Sequence, residues 1–68
     1  MNIRITSNVI ELLAEEVIND HSDEIVNVVD LYNAVNEVLF LHFDSIGLKV
    51  DEHVIKALVE RVEWLLNN

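Results

Sequence analysis

Apolar positions recur along this chain with the period of an α-helix in three places. In the first, Val9, Ile10, Leu13, Ala14, Val17 and Ile18 fall on one face at about 100° per residue, with Glu11, Glu15, Glu16 and Asn19 on the other. Thr6, Ser7 and Asn8 precede them as candidate N-caps, and Glu11 stands three residues after Asn8 in capping-box spacing. The spacing predicts a helix over 8–20. The polar run Asn19-Asp20-His21-Ser22-Asp23 then breaks the pattern. Ser22, Asp23 and Glu24 offer a new start, with carboxylates near the positive end of the helix dipole.

The second stretch is apolar on most sides: 13 of the 19 residues from Ile25 to Phe43 are hydrophobic. A heptad reading places Ile25, Tyr32 and Leu39 at one core position and Val28, Val35 and His42 at the other, flanked by Val29, Leu31, Val38 and Phe43. The apolar arc spans roughly 200°, against the ~100° that suffices for one-sided packing. This predicts a helix over 23–44 with neighbours on more than one side. Gly47, the only glycine, suits the left-handed position that ends a helix, with Leu48 placed for the hydrophobic contact that follows. Asp51 caps a third predicted helix, 51–66, on which Val54, Ile55, Leu58, Val59, Val62, Leu65 and Leu66 share a face.

The expected fold class is therefore all-α, a single small helical domain over 1–68 with three helices, dimerising through the long second one. Two alternatives stay open. Alternation of Ile3 and Ile5 with Asn2, Arg4 and Thr6 allows a short strand at 2–6, and the β-branched and aromatic residues of 38–50 allow a hairpin in place of helix and loop.

Composition turns the wide arc into an expectation about assembly. The chain has 68 residues, no cysteine and no proline, and 51% of it is hydrophobic, too apolar for disorder. Chains of this size rarely gain more than ~3–5 kcal/mol from their own core and usually add a disulfide, a metal or a partner. Without cysteine, a second copy is the expected staple. Tyr32, Val35, Asn36, Leu39, Phe40 and Phe43 are the expected dimer contacts. Asn36 lies inside the apolar arc and is read either as a register-fixing interface residue or as a rim residue facing water. Lack of cysteine also favours the cytoplasm over secretion. The longest apolar run, Val38 to Leu41, is far below the ~20 residues of a membrane span, so no membrane association is expected. No signal peptide is recognisable at the start.

Four basic residues against thirteen acidic ones give a net charge of −9. This disfavours nucleic acid as a partner, because affinity for DNA comes mainly from neutralising phosphates. A strand at 2–6 followed by helices nevertheless resembles the ribbon-helix-helix repressors, with Asn2, Arg4 and Thr6 as base readers. The order short helix, long central helix, third helix resembles the histone fold, which implies a handshake dimer. A DNA-binding regulator of either layout is one alternative. A DNA mimic is another: Asp23, Asp30, Glu37 and Asp44 recur every seven residues, about 10.5 Å apart along a helix. That line is roughly six times sparser than duplex charge.

Catalytic and metal chemistry find little support. The acids fall at caps, in turns and on polar faces or their edges. His21, His42 and His53 match neither Glu-x-x-His nor His-x-x-x-His spacing. Asp20, His21, Asp23 and Glu24 lack the glycine-centred oxygen pattern of an EF-hand. His42, inside the apolar arc, reads as a hydrogen-bonded core or interface histidine. Asp44-Ser45-Ile46 is similar to the tripeptide in which acyl carrier proteins attach their phosphopantetheine arm, which implies a carrier role for Ser45. The pattern departs at Gly47, where that family continues into an acidic helix. No cofactor, no metal and no enzymatic activity are expected. On the third helix Trp64, Arg61, Ala57 and His53 share the face opposite the core stripe. Tryptophan beside arginine has the composition of a binding hot spot, unless Trp64 folds over to complete its own core. The expected function is a small acidic regulatory module that binds another protein, with the charge favouring a partner of basic surface.

Overall fold

The computed structural model describes residues 5–68 and contains three α-helices: α1 (Ser7–His21), α2 (Val28–His42) and α3 (Glu52–Asn67). The suggested strand at 2–6, and with it Asn2 and Arg4, lies mostly outside the described residues. Thr6 itself is the N-cap of α1, its Oγ1 accepting the Val9 N–H at 3.4 Å. Asn8 is already helical, so no capping box with Glu11 forms.

The second helix begins five residues later than its polar start signal. Ser22–Glu24 forms a single 3-10 turn and Ile25 is extended, turning the chain before Asn27 caps α2. Asn27 Oδ1 accepts the Asp30 N–H at 3.0 Å, and Asp30 Oδ2 accepts the Val26 N–H at 3.1 Å, so two otherwise orphaned donors are satisfied locally. At the other end Asp44–Ile46 forms a 3-10 turn closed by Gly47 at φ +82°. The Leu48 N–H bonds the Phe43 carbonyl at 2.9 Å and the Gly47 N–H bonds the Asp44 carbonyl at 3.0 Å, the paired bonds of a Schellman motif. Asp51 caps α3, its Oδ1 accepting the His53 N–H at 2.9 Å. The hairpin alternative for 38–50 does not occur. That segment is helix, 3-10 turn and loop with one bridge position at Lys49, and there is no strand among the described residues.

Among the described residues, eleven buried side chains form the core. Leu13, Ala14 and Val17 come from α1, Leu31, Ala34, Val35, Val38 and Leu39 from α2, and Leu58, Val59 and Val62 from α3. Val9, Ile10, Ile18, Ile25, Phe43, Val50, Ile55 and Leu65 pack around them. Leu58, fully buried, contributes about 1.5–3 kcal/mol by leaving water. The Cα radius of gyration, 11.2 Å, matches the ~11 Å of a compact chain of this length. The core thus closes within one chain, whereas a histone-like handshake would share it between two. No described helix is long and apolar enough to cross a membrane.

Candidate functional site

The wide apolar arc of α2 divides into two parts. Leu31, Ala34, Val35, Val38 and Leu39 face the chain's own core, and Val29, Tyr32, Phe40 and Leu41 face solvent at 41–62% exposure. Among the expected dimer contacts this separates Val35 and Leu39, which are spent on the core, from Tyr32, Asn36 and Phe40, which are exposed. Phe43 is half-buried against the core. Periodicity alone marks all of them as apolar-arc residues. Which part of the arc faces inward depends on where α1 and α3 pack.

Two grooves meet on the exposed part. One, about 480 Å³, is lined by Asn36, Leu39, Phe40, Asp44, Lys49, Val50 and Ile55. The other, about 400 Å³, is lined by Tyr32, Asn36, Glu52, Ile55 and Lys56. Asn36 and Ile55 belong to both, so a continuous furrow runs between α2 and the start of α3. Leu39 and Ile55 give it apolar walls, and Lys49 and Lys56 place positive charge along an otherwise acidic molecule. On the α3 side only Ile55 belongs to the apolar stripe; Glu52 and Lys56, spaced i, i+4, lie outside it.

A second exposed surface lies on α3. His53, Ala57 and Trp64 are exposed along one face, with Arg61 half-buried among them. Trp64 is 53% exposed and takes no part in the core, so it does not complete its own subunit. Its ring lies 4.7 Å from the Arg61 guanidinium carbon, in a cation–π contact. Arg61 also grips α1: Nε donates to Glu11 Oε2 at 2.7 Å and Nη2 to Glu11 Oε1 at 2.8 Å. These hydrogen bonds hold the Glu11 carboxyl below its ordinary value, against a smaller opposing effect of desolvation, with the Arg61 charge adding to the lowering. They raise Arg61 further above its own ordinary value. Fifty residues separate the pair, and no local pattern announces it.

The remaining candidates are surface groups. His42 is not in the core: its side chain is half-exposed and its Nε2 meets Glu16 at 2.8 Å, joining α2 to α1. His21 Nδ1 lies 3.1 Å from Glu24 Oε2 and 4.0 Å from Glu37 Oε2. Ser45 Oγ donates to the Leu41 carbonyl at 2.7 Å, finishing the end of α2. Of the proposed acidic line, Asp30 and Glu37 lie in α2, Asp23 and Asp44 lie in flanking 3-10 turns, and Asp30 is engaged at the helix cap. Among the described residues no three His, Asp or Glu side chains converge as metal ligands. Of the four basic residues, Arg4 lies outside the described residues, Arg61 is bonded to Glu11, and Lys49 and Lys56 line the furrow. No family model, no curated protein and no solved structure matches this chain.

Proposed function

We propose that this chain is a non-catalytic regulatory module of the cytoplasm that works as a homodimer and binds another protein. The observation that carries the reading is the furrow between α2 and α3, where Tyr32, Asn36 and Phe40 stand exposed over Leu39 and Ile55. A chain of 68 residues that leaves a tyrosine and a phenylalanine at 41% and 54% exposure on one helix retains apolar surface that a second subunit can cover. The α3 face supports the rest of the proposal. Trp64 rests against Arg61, itself tied to Glu11, a contact that favours one orientation of the ring and so lowers the ordering cost of docking a partner. The net charge of −9 favours partners with a basic surface and speeds their association at low salt. Cytoplasmic action rests on the absence of cysteine in so short a chain.

Sedimentation equilibrium at micromolar concentration tests the dimer. The wild type is expected at twice the 7.8 kDa chain mass, and Phe40→Asp at the monomer mass with its helical circular dichroism retained. A monomeric wild type, or a Phe40→Asp variant with undiminished mass, would overturn the reading.

A further inference from the structure

We infer that two copies pair through α2 in antiparallel fashion, about a two-fold axis passing beside Asn36. This rests on the homodimer proposed above and adds its geometry. At 100° per residue, Val29, Tyr32, Asn36 and Phe40 lie within about 40° of one line along α2, and Asn36 is at its centre, with Tyr32 one turn before and Phe40 one turn after. All four are exposed. An axis at Asn36 makes the stripe self-complementary. Tyr32 meets Phe40 of the partner subunit and the reverse, while Asn36 meets the partner's Asn36. Two asparagine amides at the axis can each donate to the other's carbonyl oxygen, which satisfies the one polar group in the stripe and penalises other registers.

The charges on the adjoining wall select the same direction. Asn36 and Ile55 line both halves of the furrow, so they lie at one level, and Glu52 and Lys56 flank that level one turn apart on α3. Reversing the partner about the axis brings Lys56 to within about 3 Å, measured along the helix, of the partner's Glu52. It does so twice by symmetry. A parallel pair, with its two-fold along the helices, would put the two α3 walls on opposite flanks of the α2 contact, so that neither ion pair forms, and would align the helix dipoles. A stable interface needs about 600–1,000 Å² from each copy, roughly an eighth to a fifth of the chain's 4887 Å² surface.

Because the chain has no cysteine, single-cysteine variants report the pairing directly. With helix axes 8–10 Å apart and Cα atoms on a radius of about 2.3 Å, two residues facing each other across the axis have Cα atoms about 4–5 Å apart, within disulfide reach. Positions one turn from the axis sit about 12 Å from their own copies along the helix, out of reach. Under mild oxidation Asn36→Cys is expected to give a disulfide-linked dimer in high yield. Tyr32→Cys and Phe40→Cys are expected to link poorly alone and efficiently when mixed. Glu15→Cys, exposed on α1 and away from the furrow, sets the rate of chance collision. Linking of Tyr32→Cys and Phe40→Cys each with itself would overturn the antiparallel geometry. So would an Asn36→Cys rate no higher than that of Glu15→Cys in a protein that sediments as a dimer. A monomeric wild type would overturn the homodimer together with it.

Discussion

Arg61 uses its guanidinium in two directions at once. The edge donates two hydrogen bonds to Glu11, and the face covers the Trp64 ring at 4.7 Å. Lysine offers no such division of edge and face. The arrangement ties α3 to α1 and gives an exposed tryptophan a cation–π partner without burying it. Its pH dependence has a definite sign. The Glu11 carboxyl is held below its ordinary value of 4.5. The pair therefore stabilises the fold above that value, and the stabilisation is lost as pH falls through the lowered folded value. Both side chains are more than a third exposed, so screening keeps the effect small. Glu11→Gln is expected to lower Tm by roughly 2–4 °C at neutral pH. The gap between wild type and variant should close as pH is taken into the acid range, followed by circular dichroism melts. A gap that persisted in acid would mean that packing, and not the ion pair, had been lost.

Helix boundaries show how local chemistry arbitrates between competing start signals. Ser22-Asp23-Glu24 and Asn27-Val28-Val29-Asp30 both read as helix openings. The second prevails because Asn27 and Asp30 satisfy two backbone donors between them, which the first does not match, and because the extended Ile25 reaches the core only if the chain turns before α2. Asn27→Ala should therefore cost about 1 kcal/mol, seen as a Tm fall of about 4–8 °C. Ser22→Ala should move Tm little; equal losses at both positions would contradict the boundary. Three helices, the Asp51 cap and the Gly47 stop were legible in the sequence because each depends on residues within one turn of one another. So was the proximity of Arg61 and Trp64, three apart on one helix. The sharing of α2 between core and surface was not legible. A 200° arc contains Val35 and Tyr32 alike, and only the positions of α1 and α3 decide that the first is buried and the second exposed. The α3 wall of the furrow escaped notice for the same reason: Glu52 and Lys56 become neighbours of Asn36 only through the antiparallel packing of two helices.

At the scale of the whole molecule, charge opposes the proposed assembly. Two copies bring −9 each to a body of 34 × 20 × 18 Å. At 0.01 M salt the screening length is about 30 Å, so each copy feels the full charge of the other; at 0.15 M it is about 8 Å, and only groups near the interface count. There Glu52 and Lys56 alternate in sign across the proposed axis. Raising salt from 0.01 to 0.15 M should consequently tighten self-association several-fold, read as a falling dissociation constant in sedimentation equilibrium. Lys56→Glu lowers the net charge from −9 to −11 and sets like charges across the axis, so it should weaken the dimer and steepen its salt dependence. Capture of a basic partner carries the opposite sign, because screening weakens attraction between unlike surfaces. Salt thus separates the two proposed associations. A self-association that weakened on going from low to physiological salt would mean that ion pairs, not the Tyr32–Asn36–Phe40 stripe, dominate the contact between copies.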